Sequence, residues 1–212
     1  MIEVGFYGSG DPRAIEILSA AALREGKFCQ GFVSDNLSFC RIDRRPIRVR
    51  SINCKPDIAI LQDETYMYST DVEDAGIIFV DSSSPSEDFS FADVPVKTVD
   101  ATGHIFSSLQ LLFSDSHNIP DCFHVRRYED MEFVFKLLAK PFVNTVMLGA
   151  VAALGVLSIQ SITDAITEKY NDIAEGVAAA TWRIYEEFAH KWPVEQNARA
   201  LARDYRIEQV FA

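Results

Sequence analysis

An α/β fold, with a mostly parallel sheet, helices on both faces and a helical C-terminal region, is predicted by three features of this 212-residue sequence. Short apolar runs of strand length recur through its first half. The first of them leads into a glycine turn and an amphipathic helix. Beyond residue 140 the apolar residues change to helical spacing.

Ile2–Tyr7 is nearly continuous in apolar residues, as a strand covered on both faces would be. Ala14–Glu25 carries Ile15, Ile17, Leu18, Ala21, Ala22 and Leu23 on one stripe, and Gly26 is placed to end that helix. Phe28–Phe32 reads as a second strand. In "SFCRIDRRPIRVRS" the polar run Asp43–Pro46 predicts a hairpin turn. The second hairpin strand would then turn Ile47 and Val49 to the core and Arg48 and Arg50 outward. Three more buried strands are expected in Pro56–Asp63, Ala75–Ser83 and Val94–Thr102. Asp63, Asp81 and Asp100 fall at their ends, the edge of an open sheet where ligands bind. The competing role is to cap the helix or turn that follows.

Residues 104–135 lack a dominant period and read as an irregular, partly helical insertion. Asn144 is placed to cap a helix over Thr145–Val156. Ser161 is placed to cap the next one, with Asp164 three residues on. Glu175–Lys191 is amphipathic, with Val177, Ala180, Trp182, Ile184, Tyr185 and Phe188 as candidate core positions. Residues 1–190 are read as one domain and 191–212 as a helical tail.

Composition narrows the function. The net charge of −11 argues against a general binder of nucleic acid or anionic membrane. "VMLGAVAALGVLSI" is too short to span a bilayer, and "MIEVGFYG" enters a strand without a basic leader, so a cytoplasmic protein is expected. Cys29, Cys40, Cys54 and Cys122 are scattered without a C-x-x-C pair, and the four histidines show no metal spacing.

Several segments in fixed order resemble one family. They are "MIEVGFYGSG", "RPIRVRS", "KPDIAILQD", "AGIIFVDSS", "VKTVDAT" and, most specifically, "KPFVNTVMLGAVAALGVLSIQSITDAI". Together they are similar to the gamma subunit, or gamma domain, of the 2-oxoacid:ferredoxin oxidoreductases. The resemblance implies an oxidoreductase complex that decarboxylates a 2-oxoacid oxidatively on thiamine diphosphate with Mg2+. Electrons then pass through [4Fe–4S] clusters to ferredoxin, and acyl-CoA leaves. It implies alpha, beta and delta-type partners in a dimer of hetero-oligomers, and a gamma chain that holds no cluster and helps to position coenzyme A.

The first turn, Gly8-Ser9-Gly10-Asp11-Pro12-Arg13, departs from the family's glycine-rich loop. Gly8, Ser9, Gly10 and Arg13 are the candidate contacts for a coenzyme A phosphate. Asp11 competes for the helix-end amides, and Pro12 removes one of them. "VSDNLSF" is shorter than the family's basic segment at that place. The arginines Arg41, Arg44, Arg45, Arg48 and Arg50 suggest a protein interface, an anion clamp or a solvated strand. Asn144 and Thr145 are expected near a subunit junction, with a mainly structural part. Two other functions stand beside the catalytic-complex subunit: a scaffold paralogue that has lost coenzyme A binding, and a stand-alone nucleotide-binding module.

Overall fold

A computed structural model describes residues 1–8, 12–34, 37–49, 55–68, 72–89, 94–114 and 139–191. Six strands form one mixed sheet: β1 (Ile2–Tyr7), β2 (Phe28–Val33), β3 (Leu37–Asp43), β4 (Ile58–Leu61), β5 (Ile77–Asp81) and β6 (Val96–Val99). Their spatial order is β2-β3-β1-β4-β5-β6. β1, β4, β5 and β6 run parallel, and β3 lies antiparallel to both β1 and β2. The helices are α1 (Arg13–Arg24), α2 (Ala101–Ser114), α3 (Val143–Val146), α4 (Leu148–Ala153), α5 (Ile159–Lys169) and α6 (Ala174–Lys191).

The period-two alternation of each central strand divides the core. Ile2, Val4 and Phe6 of β1, Ile58 and Ile60 of β4, and Ile77 and Phe79 of β5 face the buried stripes of the α-helices. Tyr7, Ala59, Leu61, Ile78 and Val80 face the other way, where Met67, Val72 and Ala75 cover them. Among the described residues the α-helices therefore gather on one side of the sheet. The 3-10 turn Glu64–Tyr68 and its neighbours close the other.

Close approach replaces side-chain filling where α4 meets α6. A Cβ at Gly149 would overlap the Thr181 carbonyl oxygen, so only glycine lets these two backbones touch. α6 buries Val177, Ala180, Ile184 and Phe188, and Phe188 sets its ring edge-on to Phe79 of β5 at 5.5 Å. Trp182 does not join that core. It lies on the outer face with its indole N–H donating to Glu186, because position 182 is rotated away from the buried stripe.

Five expectations are corrected. Leu23, expected on the apolar stripe of α1, is 64% exposed. The hairpin lies one strand earlier: β2 and β3 pair across residues 34–37, with Ser34 N–H donating to the Leu37 carbonyl. Residues 46–49 form no strand, since Pro46 has no N–H to extend the ladder. Val49 is exposed rather than core-facing. The region after Thr102 is not irregular from residue 104, because α2 continues to Ser114; residues 115–138, like the tail from 192, lie outside the described residues.

The two helix caps also move. Pro141 in the 3-10 turn Lys140–Phe142 starts the helical path early and carries Asn144 inside α3, where it caps nothing. Ser158, not Ser161, caps α5: its hydroxyl accepts the Ser161 N–H at 3.1 Å. That choice puts Ile159, Ile162, Ala165 and Ile166 on one buried face.

The turn before α5 is tied across the fold. Glu25, just past α1, accepts the Ser158 N–H at 2.6 Å, and Lys27 donates to both Glu25 and the Val156 carbonyl. Burial would raise the Glu25 carboxyl, but the bonds from Lys27 and Ser158 outweigh it and hold the group below its ordinary range.

One ion pair breaks the apolar pattern. Arg41 of β3, wholly buried, donates from Nε to Glu3 of β1 at 2.6 Å, and the two residues are register partners. The guanidinium also lies 5.4 Å from the Phe32 ring centre. Removing one buried partner strands the other charge. Glu3→Gln should therefore lower stability by about 3–5 kcal/mol, read as a shift in the urea midpoint. Glu3→Leu combined with Arg41→Met should cost far less than either single change.

Candidate functional site

The carboxyl ends of β1 and β4 are the point where the order of the sheet reverses. β1 continues through α1 toward β2 and β3 on one side, whereas β4 continues toward β5 on the other. Adjacent parallel strands whose connections diverge in this way leave a crevice, the usual ligand position in open α/β sheets. Gly8 follows β1 there, and Gln62 and Asp63 follow β4.

Gly8 and Gln62 are in direct contact. A Cβ at Gly8 would lie 2.5 Å from Gln62 Oε1 and 2.6 Å from Gln62 Cβ, so a side chain has no room. Gln62 is itself buried. Its backbone N–H donates to the Tyr7 carbonyl at 2.9 Å, and its Nε2 donates to the Lys140 carbonyl at 2.8 Å. One side chain thus ties β1, β4 and the segment leading into α3.

Arg13 opens α1 beside this point. Pro12 precedes it in helical geometry without a side-chain cap, and its carbonyl accepts the Glu16 N–H. The Arg13 guanidinium lies 5.3 Å from the centre of the Phe142 ring, which in turn meets Tyr170 edge-on at 5.3 Å. Such a cation–ring contact is worth about 0.5–1 kcal/mol at an exposed site. Ser9, Gly10 and Asp11 lie outside the described residues.

The strand-end aspartates act as caps. Asp63 accepts the Thr65 N–H at 2.9 Å, and Asp100 accepts the Gly103 N–H at the start of α2. Asp81 accepts both the Thr102 N–H at 3.0 Å and the Thr102 hydroxyl at 2.5 Å. Burial lifts the Asp81 carboxyl above its ordinary range against those hydrogen bonds, and the charge of Asp100 adds to the rise.

The other candidate residues separate. Arg44, Arg45 and Arg48 are exposed, and Arg50 lies outside the described residues. Arg41 is core, not interface: its pairing with Glu3 uses the charge internally. Asn144 and Thr145 are likewise buried within the chain, so neither presents surface to a partner. Thr145 Oγ1 lies 3.1 Å from the Tyr170 hydroxyl, whereas Asn144 Oδ1 has no hydrogen-bond partner among the described residues.

Gln62, Lys140 and Phe142 were not singled out by sequence reasoning. The available signal was a polar residue closing the apolar run "IAIL", followed far along the chain by a proline-initiated turn.

Among the described residues no three His, Cys, Asp or Glu side chains converge as a metal site. Burial pushes the Cys40 thiol up to about 12, the opposite of what a thiolate ligand needs. No helix among the described residues is long and apolar enough to cross a membrane.

Comparison with known proteins agrees with this architecture. The family model described as pyruvate ferredoxin/flavodoxin oxidoreductase matches residues 2–187. Pyruvate synthase subunit PorC of Methanothermobacter thermautotrophicus is 32% identical over 204 residues, 88% of this chain and 96% of that protein. The pyruvate/ketoisovalerate oxidoreductases common subunit gamma of Pyrococcus furiosus is 29% identical over 208 residues, 88% of this chain and 97% of that protein. Among solved structures, the keto/oxoacid ferredoxin oxidoreductase gamma subunit of Geobacter sulfurreducens has the same fold. Its TM-score is 0.57 at 18% identity, with 91% of this chain and all of that one covered.

Two outcomes follow from the site's geometry. Gly8→Ala should cost about 1–3 kcal/mol through overlap with Gln62, measured by chemical denaturation. For Asp81, the folded state binds the proton more tightly than the unfolded chain. Stability should therefore fall as pH rises from about 4 through the raised folded value. Asp81→Asn keeps the bond from the Thr102 N–H, makes the Thr102 hydroxyl an acceptor of the amide NH2, and should remove that part of the slope in a series of melting temperatures against pH.

Proposed function

Because the chain belongs to the pyruvate ferredoxin/flavodoxin oxidoreductase family, we propose that it is the gamma subunit of a multi-chain 2-oxoacid:ferredoxin oxidoreductase. The observation that carries this reading is a relation spanning almost the whole chain and almost the whole of relatives named as PorC or gamma subunits. On this reading thiamine diphosphate, with Mg2+, and the [4Fe–4S] clusters reside on alpha, beta and delta-type partner chains. The 2-oxoacid is decarboxylated there, and two electrons leave toward ferredoxin. This chain alone is inert.

Its own contribution lies at the first turn. Gly8 allows close backbone approach, the first amides of α1 point outward as in any helix start, and Arg13 supplies a cation held on Phe142. Ser9 and Gly10 would complete a cradle for a phosphate of coenzyme A, the acyl acceptor. Pro12 has no N–H to contribute, so the contact would rest on Arg13 more than on backbone donors. The exposed Arg44 and Arg48, with Arg50, would face an acidic partner surface.

A second reading follows from that same proline: a scaffold subunit that keeps the assembly and has lost the coenzyme. One measurement separates the two. In the purified complex, Arg13→Ala should raise the KM for coenzyme A about tenfold or more, the loss expected of a charge-assisted contact, with assembly unchanged. An unaltered KM leaves the scaffold. If the chain co-purifies with no thiamine-diphosphate-binding protein, the subunit reading itself is wrong.

A further inference from the structure

α6 carries two apolar stripes. The first, Val177, Ala180, Ile184 and Phe188, is buried in the core. The second, Ala178, Trp182, Tyr185 and Ala189, runs beside it in steps of four, three and four residues, the spacing of a helix-packing seam. Ala178, Tyr185 and Ala189 are only partly buried, Trp182 is 37% exposed, and the two rings lie 5.9 Å apart. Exposed Glu175 and Glu186 border this stripe on the side away from the core, where Glu186 accepts the Trp182 indole N–H.

The segment that follows α6, residues 192–212, repeats the pattern in its sequence. Val194, Ala198, Leu201 and Tyr205 are separated by the same steps of four, three and four. Pro193 comes two residues after α6 ends at Lys191. A proline there stops one helix and fits the first turn of the next, with Glu195 in that turn. The three arginines of this segment balance its three carboxylates, so the net charge of −11 belongs entirely to residues 1–191.

We infer that residues 194–205 form a helix that folds back on α6 as an antiparallel hairpin and seats its apolar stripe on the second stripe of α6. With the chain reversing at Trp192 and Pro193, Val194 meets Ala189, Ala198 meets Tyr185, Leu201 meets Trp182 and Tyr205 meets Ala178. Each tyrosine then faces an alanine, so bulk on one helix fills space left on the other. Charge selects the direction. Viewed from the helix N-terminus, Glu175 and Glu186 lie clockwise of the seam on α6, and Arg199 and Arg206 lie clockwise of the seam on the tail. Antiparallel packing brings the two clockwise rims together, whereas parallel packing would part them. Arg199 comes within about half a turn of Glu186, and Arg206 within about half a turn of Glu175. Such surface pairs set direction more than strength. The tether selects the occupant. A segment joined to α6 by two residues has an effective concentration on the order of millimolar at the stripe, above that of a free partner chain. The hairpin needs only this chain, so it stands or falls separately from the oxidoreductase reading.

Two experiments on the full-length chain test this. Trp192→Phe leaves Trp182 as the single tryptophan, and its emission reports whether the stripe is covered. Adding Leu201→Glu should move that emission to longer wavelength and increase quenching by acrylamide. Arg203→Glu, on the opposite side of the tail helix, should leave both unchanged. An emission indifferent to Leu201→Glu overturns the proposal. If that emission then moves to shorter wavelength only when the other chains of the complex are added, the stripe belongs to a partner subunit and not to the tail. The second experiment reads the register. Ala178→Cys with Tyr205→Cys should close a disulfide within one chain under mild oxidation, located by mass spectrometry of its peptides. Ala178→Cys with Arg203→Cys, whose second site faces away from the seam, should not. No bond in the first pair, or equal bonding in both, refutes the hairpin.

Discussion

The structure depends on covering both faces of three adjacent parallel strands. β1, β4 and β5 are almost wholly apolar, so neither face can be left to water. The helices take one face and the 3-10 turn Glu64–Tyr68 with its neighbours takes the other. Gly8 and Gln62 meet at the carboxyl ends of β1 and β4 because those two strands are neighbours.

The buried Glu3–Arg41 pair shows how the same sheet accommodates charge. Arg41 is flanked by the register partner that neutralises it and by an aromatic ring that covers it. A pair of this kind contributes specificity of register more than net stability, because a one-residue slip of β3 would strand both charges. It also frees the exposed Arg44, Arg45 and Arg48 to act as a separate surface group.

Around the carboxyl ends of the strands the polar side chains are tied into the fold. Asp63, Asp81 and Asp100 are engaged with the turns and helix that follow them. Gln62 holds the backbone together, and the Arg13 guanidinium lies over the Phe142 ring.

The sequence by itself determined the strands and the first helix: Ile2–Tyr7 as read, α1 displaced by a single residue, and β4 and β5 trimmed at their ends. Continuous apolar runs and glycine punctuation are local signals, and local energetics decide them. The motif "KPFVNTVMLGAVAALGVLSIQSITDAI" likewise marked the family without help from the fold. Tertiary structure decided which arginine is core and which is surface, because Arg41 and Arg44 differ only in what lies across the ladder. It decided the strand partners of β3, since Pro46 prevents the pairing that the polar turn suggested. It decided that Asn144 is buried, because Pro141 fixes where the helical path begins. It also brought Gln62 to Gly8 and Lys140: contacts between residues far apart in the chain depend on how the sheet is ordered, and no short-range pattern encodes that order.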